Sequence, residues 1–480
     1  MLRIYNTLTN SKEYFLSSDT KIRMFVCGPT VYNYIHIGNA RLFTVFDVVA
    51  KYLRYLGYKL SYIQNITDID DKIINQAKEN NETSETVAKR FLNEFYKDIK
   101  SLGITSVDSY PKASEHIPEI IGQIKKLVEK GAAYAVPSVA VSGEDAINDP
   151  ANNDVYFSVA MFPEFGKLSK QQLDKLEAGA RVETETNKRD PKDFVLWKAQ
   201  NYIYEPSWDS PWGKGRPGWH IEDTAITEKY FGPQYEIHGG GQDLMFPHHE
   251  AEIAQQESIS GLQPFVKYWM HAGFLTMKDD KMSKSTGNFI TLRDAMEEYG
   301  METLRFYFLS SHYRAPLDYA DETIKQSAAA TTRLAEFYLK LKSIKNSLKT
   351  EPNEKNFSAI STITGFFEKD MDDDFNTSRA FSRAFDLIRY ASPLINDGSL
   401  DVESYKKIME TLDLMNSIFG IIPKELTEIP ANVKKLCEER ERARASKNYG
   451  QADYIRMQIQ ALGYRVDDTK YGPFIKKKTF

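Results

Sequence analysis

At 480 residues the chain has room for about three domains and a substantial core. Its 41% hydrophobic and 27% charged composition contains no apolar run of membrane-spanning length, and residues 1–10 lack a charged-then-apolar leader pattern. Two cysteines, Cys27 and Cys437, exclude a disulfide framework and limit any metal site to two sulfur ligands from the chain, while a net charge of −5 excludes a uniformly basic coat.

A cytoplasmic protein without membrane contact is therefore expected. The opening alternates strand and helix. Residues 22–27 (IRMFVC) form a short apolar run, closed by the turn pair Gly28-Pro29. From about Ala40, Leu42, Phe46, Val49, Leu53 and Leu56 share one helical face, and Gly57 stops that helix. Residues 60–63 then read as a second strand. A strand, turn, helix and strand in so short a span predict a βαβ unit and an α/β, Rossmann-like doubly wound parallel sheet. Ligands in such sheets sit beyond the carboxyl ends of the strands, where Cys27 and residues 65–71 emerge.

Residues 111–205 are less regular and predict an inserted connective domain, with 136–153 an exposed loop rich in Pro, Gly, Asn, Asp and Ser. Strand and turn signals return at 238–241 and 273–277. After about Thr291 the pattern is helical to the end, with linkers at 343–356 and 421–433. The expected organisation is a catalytic domain in two halves (1–110 and 206–300) around the insertion, a helical bundle at 301–425, and a terminal region at 426–480. The part after 300 is expected to be all-helical.

Two motifs carry phosphate chemistry. His36-Ile37-Gly38-Asn39 lies between the first strand and the amphipathic helix. A helix N-terminus there offers free N–H groups and a positive dipole end, and His36 can donate to an oxygen of a reacting triphosphate. Gly38, lacking a side chain, permits close approach of a base or sugar. Lys281-Met282-Ser283-Lys284-Ser285 follows the strand at 273–277 on a loop. Two lysines three apart can converge on a pyrophosphate leaving group and offset its growing charge.

His36–Asn39 resembles the HIGH signature, with Asn39 in its last place, and residues 281–285 match the KMSKS signature of class I aminoacyl-tRNA synthetases. The blocks at 25–41 (FVCGPTVYNYIHIGNAR), 65–72 (NITDIDDK), 179–183 (GARVE), 193–198 (DFVLWK), 210–222 (SPWGKGRPGWHIE), 238–250 (HGGGQDLMFPHHE) and 372–377 (DDDFNT) resemble, in order, the cysteinyl-tRNA synthetase family. The resemblance spans nearly the whole chain. It implies that His36, Gly38 and Asn39 hold ATP together with Lys281 and Lys284, that Gly239, Gly240 and Gly241 pack under the nucleotide, and that Asp243 takes the ribose hydroxyls. His36, Asn39, Lys281 and Lys284 would be catalytic, with Mg²⁺ sharing the pyrophosphate charge. It also implies ATP, L-cysteine and tRNA(Cys) as partners, and a monomer.

The same resemblance implies a Zn²⁺ site at Cys27, Asp223, His248 and Glu252, with Cys27, Gly28, Thr67, Trp219 and His248 around the amino acid. His248 and Glu252, four apart in an apparent helix, can face one centre. Asp223 is a departure: where the family carries Gly-Trp-His-Ile-Glu-Cys, this chain reads Gly218-Trp219-His220-Ile221-Glu222-Asp223. An oxygen anion replaces a thiolate, so formal charge is kept while softness is reduced. The metal matters because cysteine and serine differ by one atom, which a hydrophobic pocket discriminates only modestly. Trp219 can alternatively be read as a core aromatic.

Residues 431–480 hold twelve Lys and Arg against six Asp and Glu. The stretch 436–462 reads as helical, with Arg440, Arg444 and Lys447 close together and Lys476, Lys477 and Lys478 beyond. It resembles the family's anticodon-binding end, where phosphate contacts and bases stacked on Tyr449, Tyr454 or Tyr471 are expected. Cys437 reads as a buried thiol without redox function. The competing readings are a tRNA-independent ligase that passes cysteinyl-adenylate to a small amino sugar, an RNA-binding homologue without adenylation, and a nucleotidylyltransferase.

Overall fold

The computed structural model describes all residues except 17–19, 172–186, 278–279, 282–288, 346–347, 349–350, 424–428 and 478–480, together with the side chains of 280 and 281. The block at 179–183, Lys284, Lys478 and the Lys281 side chain therefore lie outside the described residues. The chain divides into two compact units: Met1–Met296 with Tyr313–Asp318, and Glu297–His312 with Tyr319–Phe480.

In the first unit, β1 (Arg3–Asn6) and β2 (Ser11–Tyr14) form an antiparallel hairpin. The expected βαβ unit follows as β3 (Lys21–Val26), α1 (Ile37–Tyr55) and β4 (Lys59–Gln64). Helices α2 (Asp71–Asn80), α3 (Ser84–Ser101) and α4 (Ile117–Glu129) lead into an antiparallel sheet. Its strands are β5 (Ala133–Pro137), β6 (Asn153–Phe157), β7 (Phe194–Ala199), β8 (Trp208–Ser210) and β9 (Gly213–Pro217), in the order β5-β6-β7-β9-β8. Residues 138–152 connect β5 to β6. The sheet runs past residue 205 because β9 pairs with β7, Trp197 opposite Pro217.

The chain then returns to the parallel sheet through α5 (Trp219–Phe231), β10 (Tyr235–Gly241), α6 (Glu250–Ser260) and β11 (Val266–Ala272). The order β11-β10-β3-β4 is parallel throughout, with Gly239 beside Val26 and Gly241 beside Ala272. The path runs outward from β3 to β4 and then crosses to β10 on the other side. The β3/β10 boundary is therefore the switch point at which a doubly wound sheet opens a ligand crevice. Short strands β12 (Leu275–Met277) and β13 (Asp280–Lys281) pair antiparallel, followed by α7 (Leu292–Tyr299).

Helix α1 is buried almost all round rather than along one stripe, as expected for a helix in the heart of an α/β layer. Leu56, expected on the apolar face, is 38% exposed at the helix end. The buried Arg41 is satisfied by donating to the carbonyls of Gly273, Phe274 and Ala315, which ties the segment after β11 to α1.

The second unit contains α8 (Met301–Leu309), α9 (Asp321–Ile344), α10 (Glu354–Asp372), α11 (Thr377–Asn396) and α12 (Val402–Phe419); β14 (Leu317–Asp318) belongs to the first unit. The helix expected over 436–462 is two helices, α13 (Ala431–Ala445) and α14 (Tyr449–Ala461). Lys447 breaks them at φ +58°, and the Asn448 side chain caps α14 by accepting from the Gln451 N–H. The region is not helical to its end either. Gly463, at φ +83°, stops α14, and an antiparallel hairpin of β15 (Tyr464–Thr469) and β16 (Gly472–Lys477) follows. Val466 and Phe474 are the one buried residue of each strand among half-buried and exposed neighbours, a strand pattern that a helical reading of this segment overlooks. Cys437 is buried in this module's small core with Val433, Ile455, Ile459 and Val466.

Candidate active site

A cavity of about 540 Å³ opens at the carboxyl ends of the parallel strands. Cys27 comes from the end of β3, Asn65 and Thr67 from the end of β4, Gly241 from β10 and Ala272 from β11. It is lined both by His36, Gly38 and Asn39 and by Cys27, Trp219, Asp223 and His248, so the two constellations expected from sequence share one space.

His36 is the N-cap of α1, and its Nδ1 accepts the Asn39 backbone N–H at 3.2 Å. An accepting Nδ1 leaves Nε2 as the protonated nitrogen of the neutral ring, the donor an approaching phosphate oxygen needs. A Cβ on Gly38 would lie 2.8 Å from that Nδ1 and 2.9 Å from Cε1, so Gly38 makes room for the His36 ring as well as lining the cavity. The described residues on both sides of 282–288 join this region. Lys281 pairs with Thr276 next to the cavity residue Leu275. On the other side, the Ile37 N–H donates to the Ile290 carbonyl, and the Leu292 N–H to that of Ile35.

The three glycines of β10 divide. Gly239 gives way to the Phe46 ring and Gly240 to His249, contacts a Cβ would bring to 2.3 and 2.6 Å; neither lines the cavity. Only Gly241 and the nearby Asp243 do.

At the other constellation, Gly28 has no room for a side chain, since a Cβ would fall 1.7 Å from the Asn65 carbonyl oxygen. Helix α5 begins at Gly218, whose missing Cβ lets the helix start press against the Val195 carbonyl. This places Trp219 and Asp223 at the cavity. Trp219 is a lining residue stacked on His248 at 4.1 Å and 21°, not a core aromatic. Thr67 is 2% exposed and also lines the cavity.

Asp223 is almost fully buried. Its Oδ1 accepts from Asn65 Nδ2 at 2.6 Å, and its Oδ2 lies 3.0 Å from His248 Nε2 and 3.6 Å from Cys27 Sγ. His248 Nε2 is also 3.2 Å from Glu252 Oε1. One donor atom each from Cys27, Asp223, His248 and Glu252 lies within 4.8 Å of all the others. Burial, followed by the carboxylates of Asp223 and Glu252, pushes the Cys27 thiol well above its usual range; burial and Asp223 do the same to Glu252. Both carboxylate oxygens of Glu252 lack a hydrogen-bond partner although the residue is 0% exposed. Three mutually repelling acids around one point, with orphaned oxygens, form a cluster that fits a divalent metal ion.

Sequence reading missed the residues behind this cluster. His220 Nδ1 meets His248 Nδ1 at 2.7 Å, and His249 and His238 present Nε2 to Cys27 Sγ at 3.1 and 3.5 Å. Behind His249, its Nδ1 reaches His271 Nε2 at 2.8 Å, and His271 Nδ1 reaches Thr7 Oγ1 at 2.8 Å. Burial holds His238 and His249 well below the ordinary histidine pKa and lowers His271 to about 3, so these rings are neutral near pH 7. Five of the eight histidines in the chain meet here, a clustering that the adjacent pair His248-His249 hints at.

In the terminal module, Arg440, Arg444 and Lys476 of the basic set are engaged within the chain. Arg440, 4% exposed, forms a bidentate pair with Asp468 at 2.8 and 2.9 Å, and Arg444 reaches the same carboxylate at 2.6 Å. Tyr449 and Tyr454 are 64% and 53% exposed on α14, whereas Tyr471 donates to the Leu400 carbonyl.

Residues 14–329 match the tRNA synthetases class I (C) catalytic domain, 366–423 the DALR domain and 426–473 the cysteinyl-tRNA ligase anticodon binding domain. The cysteine--tRNA ligase of Carboxydothermus hydrogenoformans is 43% identical over 480 residues, covering 98% of this chain and 99% of that one. That of Clostridioides difficile is 43% identical over 477 residues, with the same coverage. Mycobacterium tuberculosis methionyl-tRNA synthetase in complex with methionyl-adenylate superposes with a TM-score of 0.61 at 13% identity, over 83% of this chain and 92% of that one. Agrobacterium radiobacter LeuRS, in a ternary complex with tRNA and LeuAMS, does so with a TM-score of 0.61 at 10% identity over 84% of each chain. The last two share the fold alone. The catalytic-domain profile over the cavity, the anticodon-domain profile over the terminal module and near-complete coverage at 43% identity lead to one conclusion: the chain belongs to the cysteine--tRNA ligase family of class I synthetases.

Proposed function

We propose that the protein activates L-cysteine with ATP and transfers the cysteinyl group to the 3′-terminal ribose of tRNA(Cys). The observation that carries this reading is the single cavity shared by a phosphate-binding helix start at His36 and a thiol-seeking donor cluster at Cys27, Asp223 and His248. In the first step, a carboxylate oxygen of cysteine attacks the α-phosphorus, and the bond to the β-phosphate oxygen breaks to release pyrophosphate. In the second, a ribose hydroxyl attacks the acyl carbon, the bond from that carbon to the phosphate oxygen breaks, and AMP departs with the hydroxyl proton taken up by its phosphate.

The chain's own groups act by position and charge. His36 donates from Nε2 to a phosphate oxygen while Nδ1 stays tied to the helix start. Asn39 completes that start, Gly241 leaves room for the nucleotide, and Asp243 accepts from ribose hydroxyls. Lys281 and Lys284 neutralise the departing pyrophosphate, with Mg²⁺ accompanying ATP. Thr67 and Trp219 bound the amino acid. Cys27, Asp223, His248 and Glu252 would hold Zn²⁺, which when bound supplies a Lewis acid that ligates a thiolate far better than a hydroxyl.

The anticodon-domain match over 426–473 argues against a ligase acting on a small amino sugar, which has no use for such a module. The test is cysteine-dependent exchange of labelled pyrophosphate into ATP, followed by transfer to tRNA with serine in competition. Exchange and transfer, with serine excluded, are expected. Absence of exchange would remove the adenylation reading, and exchange without transfer would restore the small-molecule ligase.

A further inference from the structure

Cys27 and Glu252 belong to two four-donor sets. One is completed by Asp223 and His248, the other by His238 and His249, and in each set the donor atoms lie within 4.8 Å of one another. We propose that Cys27, His238, His249 and Glu252 form a second metal position behind the substrate-facing one, and that Zn²⁺ rests there until the amino acid arrives. This deepens the reading of the cluster as a metal site and rests on it.

The rear donors lie close enough together that small side-chain adjustments would bring them onto one ion. Bonds of about 2.0–2.3 Å in a tetrahedral site separate neighbouring ligands by roughly 3.3–3.8 Å. Cys27 Sγ lies 3.1 Å from His249 Nε2 and 3.5 Å from His238 Nε2, and His249 Nε2 lies 4.0 Å from Glu252 Oε1. Both imidazoles present Nε2 to Cys27 and have Nδ1 engaged by a neighbour: His238 by Tyr235 Oη at 2.7 Å, with Glu252 Oε2 at 3.5 Å from the same nitrogen, and His249 by His271 at 2.8 Å. Anchoring of the distal nitrogen fixes the tautomer and ring plane of a metal-ligating histidine. Glu252, 0% exposed, makes no hydrogen bond through either oxygen, and its nearest polar neighbours are imidazole nitrogens, His248 Nε2 at 3.2 Å and His238 Nδ1 at 3.5 Å.

The two positions differ in access and in donor character. Cys27, Asp223 and His248 line the cavity, whereas His238, His249 and Glu252 do not. The front position can therefore gain a substrate ligand and the rear one cannot. The rear set offers one sulfur, two nitrogens and one oxygen; the front set, with Asp223, offers one sulfur, one nitrogen and two oxygens. Zinc favours the former. A substrate thiolate adds a second sulfur at the front alone, which reverses the preference and draws the ion forward.

Zinc K-edge absorption on the full chain, loaded with one equivalent of zinc, tests this directly. Without amino acid, the expected shell is one sulfur and two imidazoles; with cysteine, two sulfurs and one imidazole. A single imidazole in the cysteine-free protein overturns the rear position while leaving the front site standing. Failure to retain one equivalent of zinc overturns both. Two variants add independent readouts after circular dichroism has established that they fold. Asp223→Ala is expected to retain zinc and the two-imidazole shell, and loss of its zinc would count against the proposal. His249→Ala is expected to retain zinc with one imidazole, and an unchanged spectrum would overturn it.

Discussion

His36 Nδ1 accepts the Asn39 backbone N–H at 3.2 Å, so one ring caps α1 and also lines the cavity in which the proposed phosphate chemistry takes place. The two functions are separable. In His36→Asn, the Asn oxygen can replace Nδ1 as the cap, because Asn is among the best N-cap residues. The Nε2 donor is lost. Thermal stability should stay within about 0.5 kcal/mol of the parent, whereas kcat for cysteine-dependent pyrophosphate exchange should fall about 10²–10³-fold. A kcat near the parental value would remove His36 from the phosphate-binding role.

Gly38→Ala tests the same ring from the other side. The added Cβ would sit 2.8 Å from His36 Nδ1, closer than carbon and nitrogen tolerate, and the ring must rotate away. Helix propensity alone would predict a gain of roughly 0.5–1 kcal/mol for Gly to Ala. The expected result is the opposite: no gain in stability, and a fall in exchange activity resembling that of His36→Asn. A stabilised, fully active Gly38→Ala protein would show that the ring has another resting place.

How much of this was readable beforehand follows from range. The β3, α1 and β4 elements and the His36–Asn39 turn are local patterns, and the sequence reading places each within a few residues. The role of Gly38 toward His36 is also local, but it depends on which way the ring turns. His238 reaches Cys27 only because β10 pairs with β3 with His238 opposite Phe25, a register set by contacts more than 200 residues apart. The extension of the inserted sheet to β9 is likewise a tertiary choice, since β9 pairs with β7 as well as with its neighbour β8. The β15–β16 hairpin had a local signal, one buried residue in each strand, Val466 and Phe474, but the surrounding charge masked it.

In the proposed front position, the donor character turns on Asp223. Asp223→Cys would give that position two sulfurs, and the resting zinc should then sit forward with a single imidazole and resist removal by a chelator better than in the parent. Asp223→Ala also deprives Asn65 Nδ2 of the acceptor it holds at 2.6 Å. Its kcat/KM for cysteine should fall about 10–100-fold, mainly through KM, since the thiol loses its metal-bearing position while the phosphate-binding groups are untouched. A fall confined to kcat would place Asp223 outside amino-acid binding.

The pair of Arg440 and Asp468 links α13 to the β15–β16 hairpin, and it predicts a pH-sensitive terminal module. The Arg440 guanidinium holds the Asp468 carboxyl below the usual carboxylate range. A carboxyl whose folded pKa is depressed contributes stability above its unfolded pKa, and that contribution is lost as pH falls through the folded value. Amide protection factors in 431–477, taken relative to the intrinsic exchange rate at each pH, should therefore fall on acidification below about pH 4. Asp468→Asn should remove this pH dependence and destabilise the module by about 1–3 kcal/mol. This lies below the cost of breaking a fully buried pair, because the Asp468 side chain is 40% exposed while that of Arg440 is 5% exposed. Because Arg444 shares the same carboxylate, Arg444→Ala should cost less than Arg440→Ala. Equal protection factors in the parent and Asp468→Asn across this pH range would show that the hairpin is held by its Val466 and Phe474 packing alone.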